Sequence, residues 1–392
     1  MAELARTPWR VDAPDDATLH ALARPAERRP TVSIYLQTDP RVVANTAQTP
    51  AWLVVARNGL RDVTAALDAN EDRDARLRWR ALRAEVEAEL DGLSHANRGR
   101  SLVWFLDLDG TLDERYVLQV AVRDSLVAFA EQPVIAPLVE LLDHSRPVGI
   151  VLVSGERVRL VHWAHGHFDE AGEEVFDLDG DGWKPYRGPA SGRGGRSGTT
   201  HVEQVEDRLE EHRERFFATA AEATAQRLQQ RGWERVVVAA ERATAHRFRH
   251  HLPPAVAERV VAELPLNAVD AHETEIAQRL EPAIEDLHRR QALAAVDALQ
   301  ADGPQAAVGP AAVLSALALG QVDHLVLDPY HRPAESPLSE IAEQLMRGDR
   351  FQRVPERAVE AAVAADAKVT TLEAGASPAL QAADGMLAGL RW

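Results

Sequence analysis

The sequence contains no cysteine, and lysine occurs only at positions 184 and 368. Without cysteine, the chain cannot form disulfide bonds, thiolate metal sites or a thiol nucleophile. No run of about 18 apolar residues is present, so we expect no membrane-spanning helix. The first residues, MAELARTPWRVDAPDD, contain acids where a secretory signal needs an apolar core. We therefore expect a cytoplasmic protein.

Positive charge is also scarce, because 44 Lys and Arg residues face 61 Asp and Glu residues and the formal net charge is −17 at pH 7. General binding to nucleic acid depends on clustered cations that displace counterions, so this balance argues against it. Recognition of RNA through one basic element is still compatible with an acidic chain. The hydrophobic content of 45% is typical of a globular protein, and the length predicts two or three domains.

One basic element stands out against this background. The segment Arg187–Thr200, RGPASGRGGRSGTT, contains three arginines, five glycines and no acid, and a long helical pattern follows it. Thr200 and Glu203 have the spacing of a capping box, which predicts the start of that helix, and Gly232 is suited to its C-terminal cap. Its predicted buried stripe consists of Val202, Val205, Leu209, Phe216, Ala220 and Leu228. Helix N-termini offer free N–H groups to anions, and arginines add forked donors for phosphate. The segment is therefore predicted to contact phosphate groups, with a flexible linker as the alternative.

The predicted elements divide the chain into three domains. Residues 1–145 are expected to form an α+β domain, and residues 147–275 and 276–392 alternate strands and helices as α/β domains do. The fold class is thus multidomain, α/β and α+β. The main predicted elements are strands at Pro30–Leu36, SLVWFLD, YVLQVAV, Glu234–Ala240 and HLVLDPY, a hairpin at Val148–Trp163, and helices at Leu60–Leu93, Val134–Leu142, Ala271–Leu299 and Gly309–Gly320.

Three short motifs imitate known sites. FLDLDGTLD, Phe105–Asp113, has the D-x-D-G-T pattern of haloacid-dehalogenase-type phosphatases, in which Asp107 and Asp109 would be the acting carboxylates. The pattern lies between two predicted strands, so Asp-Gly is better explained as a hairpin turn. That phosphatase is kept only as an outside alternative.

The other two motifs imitate metal sites. DLDGDG, Asp177–Gly182, begins like a calcium-binding loop but lacks the glutamate needed at the twelfth position. In HWAHGH, His165 and His167 are predicted on one side of a strand, with no further ligand at a suitable spacing. We therefore predict no metal site and no cofactor.

The segment SGRGGRSGTTHVEQVEDRLEEHRERFF resembles the central domain of the archaeal and eukaryotic class 1 peptide release factors. Those proteins carry a Gly-Gly-Gln loop in a GRGGQS context before a long charged helix. VGIVLVSGERVRLV is similar to the opening strands of that domain. AVGPAAVLSALALGQVDHLVLDP is similar to their last domain, and ADGMLAGLRW resembles the closing segment shared with pelota-type rescue proteins. The resemblance covers Pro147–Trp392.

Bacterial proteins of this layout include Vms1-like release factors and Balon-type hibernation factors. The resemblance implies a ribosome-associated translation factor whose loop approaches the peptidyl-transferase centre or the tRNA acceptor end. It implies ribosomal RNA and tRNA as partners, and it leaves open a translational GTPase that delivers the protein. Residues 1–145 match the codon-reading domain poorly, so stop-codon decoding is not implied.

One departure from the family pattern concerns the loop itself. Gly194 and Gly195 match the two glycines, but Arg196 stands where the family has glutamine. The resemblance makes these three residues the catalytic candidates for peptidyl-tRNA hydrolysis, and Arg187, Arg193 and Arg196 the RNA-binding candidates. A backbone N–H at position 196 can still stabilise an oxyanion, but the arginine side chain has no acceptor to fit a water molecule. Hydrolysis in ribosome rescue and non-catalytic occlusion of idle ribosomes therefore both stay open.

Overall fold

The structure is a computed structural model that describes residues 7–11, 13–24, 29–69, 72–93, 99–175, 198–266, 269–301, 305–334, 339–346 and 353–392. The chain forms two compact units. One unit combines Met1–Arg146 with His288–Trp392, and the other is Pro147–Leu287. Among the described helices, none is both long enough and apolar enough to cross a membrane.

The N-terminal segment contains an antiparallel sheet that is covered on both faces. Its strands lie in the order β3-β2-β1-β4. Along β1, Val32, Ile34 and Leu36 pack under two long helices, while Tyr35 points into the core on the opposite face. This double burial explains why the strand sequence is apolar almost throughout. The elements are α1 (Asp16–Ala23), β1 (Thr31–Gln37), α2 (Ala51–Asp68), α3 (Arg73–Leu93), β2 (Ser101–Asp107), β3 (Asp113–Leu118), β4 (Leu126–Ala130) and α4 (Ala136–His144).

The unit Pro147–Leu287 contains a mixed sheet with the strand order β7-β6-β5-β8-β9. β5 pairs with β6 in antiparallel orientation and with β8 in parallel orientation. α5 and α6 cover one face of this sheet, and the first half of α8 covers the other. The elements are β5 (Val148–Val153), β6 (Arg157–Ala164), β7 (His167–Val175), α5 (Gly198–Arg231), β8 (Val236–Ala240), α6 (Arg242–His251), α7 (Pro254–Ala257), β9 (Val260–Pro265) and the first half of α8 (Glu273–Ala301), whose residues from His288 onwards belong to the other unit.

The C-terminal segment contains the third sheet, with the strand order β10-β13-β11-β12. Gly309 and Gly320 have positive φ angles at the two ends of α9, where the sequence predicted the helix to begin and end. The elements are β10 (Ala306–Val308), α9 (Pro310–Ala318), β11 (Val322–Leu327), α10 (Glu340–Met346), α11 (Val354–Ala364), β12 (Lys368–Thr371), α12 (Pro378–Ala382) and β13 (Met386–Leu390).

The N-terminal and C-terminal segments share one hydrophobic core. Tyr35 and Phe105 of the first sheet belong to the same buried cluster as Leu325 of β11 and Val359 of α11. Polar contacts accompany this packing, since Arg123 donates to Asp328 at 3.3 Å. Each segment nevertheless keeps a sheet of its own. The division of the chain at residues 145 and 275 into three domains therefore stays a prediction.

The predicted fold class is confirmed, and several elements differ from the sequence prediction. The helix predicted at Leu60–Leu93 is two helices, α2 and α3, and Asp72 caps the second by accepting from two backbone N–H groups. No strand was predicted in the acidic stretch after Phe168, which forms most of β7. His165 has a φ of 51° and forms a turn with Gly166. The prediction that His165 and His167 lie on one side of a strand is therefore wrong.

One consequence of this fold can be tested by pH. His324 on β11 lies 2.9 Å from Thr370 Oγ1, measured from its Nε2 atom. Burial and, to a smaller extent, the charge of Lys368 lower the pKa of His324 to about 4. The unfolded chain takes up this proton near pH 6.5, so the stability that His324 contributes above that pH is lost as the pH falls towards 4.

We expect wild-type protein to lose more stability between pH 7.5 and pH 5 than His324→Gln, because glutamine does not titrate in this range. Urea unfolding at the two pH values measures the difference. Other groups that titrate in this interval affect both proteins equally, so the comparison isolates position 324. An identical loss in the two proteins would contradict the prediction.

Candidate functional site

The predicted site residues lie outside the described part of the chain. Arg187, Arg193, Gly194, Gly195 and Arg196 all fall between residues 176 and 197, as does the DLDGDG motif. Their predicted roles therefore stay predictions. The structure does describe the two elements that flank this segment, β7 before it and α5 after it.

β7 is held at the edge of the sheet by charged side chains as well as by backbone pairing. Its residue Glu170 accepts from Arg159 of β6 at 2.8 Å, and Glu173 accepts from Arg157. Arg159 also donates to the carbonyl groups of Val269 and Ala271, at 2.9 and 2.7 Å. The end of β7 at Val175 therefore belongs to a well-bonded part of the unit.

α5 begins at Gly198, two residues before Thr200, and runs to Arg231. At 34 residues it is about 50 Å long. Its buried face includes Phe217, Ala220 and Leu228, which pack on the sheet. Phe216, Ala220 and Leu228 confirm the predicted buried stripe, whereas Leu209 is only partly buried. The helix that follows the glycine-rich segment is thus anchored over its middle and its C-terminal half.

The C-terminal end of α5 has a defined cap. Gly232 has a φ of 64°, and the Trp233 N–H donates to the Leu228 carbonyl at 3.0 Å. This is the pattern of a Schellman motif, in which the residue after the glycine packs against the last turn. Trp233 is fully buried beside Leu228 in the core of the unit. The predicted C-cap at Gly232 is confirmed.

The Trp233 ring is the central packing element of this unit. Its Nε1–H donates to His162 Nδ1 at 2.7 Å, and the two rings are tilted by only 11°. Burial lowers the pKa of His162, and the charge of Arg231 adds to this effect, which favours the neutral imidazole that can accept the bond. Gly149 of β5 lies against the ring, and a Cβ atom there would be 2.2 Å from Trp233 Cε3.

α6 is tied to α5 by charged hydrogen bonds. Arg247 donates to Glu214 at 2.6 Å and also pairs with Glu210. His251 lies 2.6 Å from the second oxygen of Glu214. The hydrogen bond from Arg247 lowers the pKa of Glu214, and the contact with His251 acts in the same direction. These pairs fix one face of α6 on α5.

The phosphatase-like motif forms a turn. The Thr111 N–H donates to Asp107 Oδ1 at 2.8 Å, and the Thr111 hydroxyl donates to the other oxygen. Strands β2 and β3 pair across the motif, and Asp109 forms an ion pair with Arg78. The predicted hairpin is confirmed, and the carboxylate of Asp107 stabilises its turn. Within the described ranges, no group of three or more His, Asp or Glu side chains is arranged to hold a metal ion.

The middle of the chain matches a known protein family. The family model for bacterial archaeo-eukaryotic release factor family 10 matches residues 133–285. This range includes the whole sheet β7-β6-β5-β8-β9 and the helices α5 and α6. Over this segment the chain is release-factor-like, which confirms the resemblance predicted from the sequence.

Individual relatives are distant. The uncharacterized protein YocB of Bacillus subtilis is 22% identical over 236 residues, which are 59% of this chain and 86% of that protein. The archaeal translation termination factor aRF1 is 16% identical, with 96% and 97% of the two chains covered and a TM-score of 0.24. Pelota of Archaeoglobus fulgidus is 15% identical, with 64% and 66% covered and a TM-score of 0.32.

The sequence analysis missed α6, although a signal for it is present. Ala245, Phe248 and Leu252 are buried and have the spacing of one helix face. The rest of the helix consists mainly of arginine and histidine, which obscures this short pattern. Three arginines and three histidines occur in ten residues, without an acid among them. α6 is therefore a second basic element of the acidic chain, beside the segment 187–200.

Proposed function

We propose that this protein is a ribosome-associated translation factor that binds in the tRNA-binding region of the ribosome. The observation that carries the proposal is the family match over residues 133–285. Arg187, Arg193 and Arg196 contact RNA phosphates near the peptidyl-transferase centre or the tRNA acceptor end. An acidic protein is suited to this task when its cations are confined to a few elements, because contacts with RNA elsewhere stay weak. A cytoplasmic location goes with this role.

Within this role, we propose occlusion of idle ribosomes as the first function. Arg196 replaces the glutamine of the release-factor loop, and a guanidinium group has no acceptor that could position a water molecule. Hydrolysis of peptidyl-tRNA in ribosome rescue is the second candidate. It is favoured by Gly194 and Gly195, whose backbone freedom the release-factor loop requires. Delivery by a translational GTPase fits either function.

The proposal predicts a loss of ribosome binding when the loop arginines are removed. Arg187→Ala, Arg193→Ala and Arg196→Ala together should weaken co-sedimentation with purified ribosomes. The dependence of binding on salt should also become less steep, because binding with fewer phosphate contacts releases fewer counterions. Each lost contact should lower the slope of log K against log salt concentration by about one. Co-sedimentation across a series of salt concentrations measures both effects.

The control variant replaces three arginines on α3 of the other unit, Arg73, Arg76 and Arg80, by alanine. It removes the same number of charges from another helix of the same chain. Binding by this variant should stay close to that of wild type. If wild-type protein does not sediment with ribosomes at all, the proposed function is wrong. If wild-type protein sediments with ribosomes and the loop variant binds as well as wild type does, the contacts lie elsewhere in the chain.

A further inference from the structure

α6 separates its cations into two groups. Arg247 and His251 face α5, where Glu210 and Glu214 neutralise them. Arg249, on another side, is bonded to Glu263 of β9 at 2.5 Å. The buried residues Ala245 and Phe248 fix which side of the helix faces the core. The remaining basic residues, Arg242, His246 and His250, are exposed on the outer side of the helix.

These outer residues form a row. Arg242, His246 and His250 are spaced by four residues, so they follow one side of α6 in steps of about 6 Å. All three are exposed, and the Nε2 atoms of the two histidines lie 3.2 Å apart. Among the residues that the structure describes, no carboxylate forms an ion pair with any of the three. We call Arg242, His246 and His250 the α6 row.

The α6 row contains one guanidinium group and two imidazole groups, and it has no carboxylate partner among the described residues. The protein carries 61 acidic residues, and many exposed arginines in the described ranges are paired, as Arg57 is with Asp91 at 2.9 Å. An exposed row of guanidinium and imidazole groups without carboxylate partners is complementary to a polyanion with regularly spaced charges. The phosphate backbone of RNA has this property, and guanidinium groups match phosphate in geometry as well as in charge.

The position of α6 supports the same ligand. Its contacts with Glu210 and Glu214 lie 12 and 16 residues beyond Gly198, which corresponds to about 18–24 Å along α5. α6 thus contacts the first half of α5, the helix that follows the basic segment 187–197 in the sequence. The ion pairs to α5 hold it rigidly, so little ordering of the helix is needed on binding.

We propose that the α6 row is an RNA-binding surface that contacts the phosphate backbone of ribosomal RNA. This inference rests on the proposed function, and it adds a contact that the glycine-rich loop does not provide. The two basic elements together would bind RNA at two separate places.

The test compares three variants with wild-type protein. Arg242→Ala, His246→Ala and His250→Ala together should weaken binding to purified 70S ribosomes roughly tenfold at moderate salt. The α3 control variant should bind within about twofold of wild type, although it loses three permanent charges. His246→Arg with His250→Arg should bind more tightly than wild type, because two permanent charges are added to the row. Circular dichroism checks that each variant is folded.

The same variants are measured on protein-free ribosomal RNA, which separates the inference from the proposed function. If wild type binds this RNA but not ribosomes, the proposed function fails. Weaker RNA binding by the α6 row variant then still supports RNA contact by the row, and unchanged RNA binding overturns it. If the α3 control weakens binding as much as the α6 row variant does, the effect comes from the overall charge of the protein and the inference is overturned. If the α6 row variant loses binding to ribosomes but not to protein-free RNA, the row contacts an acidic ribosomal protein, and the inference is also overturned. Binding to neither by wild type would do the same.

Discussion

Trp233→Ala is expected to lower the free energy of unfolding of the unit Pro147–Leu287 by about 3–5 kcal/mol. The ring is fully buried, and it joins the cap of α5, strand β5 and the imidazole of His162. Removing it leaves a cavity and also leaves His162 Nδ1 without its donor. Hydrogen exchange of the β5 and β8 amides reports on this unit separately from the rest of the chain.

A double-mutant cycle with Gly149 gives the prediction a sharper form. In wild type, Gly149→Ala places a Cβ atom 2.2 Å from the ring and should cost about 1–3 kcal/mol or more. In Trp233→Ala, the same change should cost much less, because the clashing atoms are gone. Gly155→Ala is the control, since a Cβ atom at Gly155 meets nothing within 4 Å. Additive effects of the two changes would contradict the proposed packing.

The features that the sequence predicted well depend on local signals. Gly232 predicted the end of α5 because a residue with positive φ is needed there, and Gly309 with Gly320 marked the two ends of α9. Strands β5 and β8 are continuous apolar runs bounded by turn residues, and β11 ends in the apolar run 325–327. Each of these signals is contained within a few neighbouring residues, so knowledge of the rest of the fold is not required.

β7 was missed because its stability comes from a neighbouring strand. Its acids, Glu170 and Glu173, are unfavourable for a strand by themselves. They become acceptable because Arg159 and Arg157 of the neighbouring strand β6 form ion pairs with them. The pairing register decides which charges meet, and that register cannot be read from the β7 sequence alone.

The shared core of the first unit was missed for a related reason. Tyr35 and Val359 belong to one buried cluster although more than 300 residues separate them in sequence. The apolar residues of β1 and α11 indicate that each element is buried, but not against which partner. For the candidate site, the glycines and arginines of the segment 187–200 led to a prediction that stays a prediction, because residues 187–197 lie outside the described part of the chain. The sequence did not identify α6, whose role depends on which of its cations α5 neutralises.

The second large effect concerns the chemistry of the loop. We expect wild-type protein to release little peptide from stalled ribosomes that carry peptidyl-tRNA, and to inhibit the reaction of those ribosomes with puromycin. Occupation of the peptidyl-transferase region is sufficient for inhibition. Release requires a positioned water molecule, which Arg196 is poorly suited to hold because it has no acceptor. Arg196→Gln should therefore increase peptide release, because glutamine restores an acceptor and a donor at this position.

The increase should depend on the loop backbone. In the Arg196→Gln variant, adding Gly195→Ala should reduce release about a hundredfold or more, since the loss of one oxyanion donor typically costs about 2.7–4 kcal/mol. Puromycin inhibition should change much less, because binding depends mainly on the arginines. Fast release by wild type that disappears in Gly195→Ala would establish hydrolysis in place of occlusion. Fast release that survives Gly195→Ala would contradict both functions proposed for the loop, because neither allows catalysis without the glycine backbone.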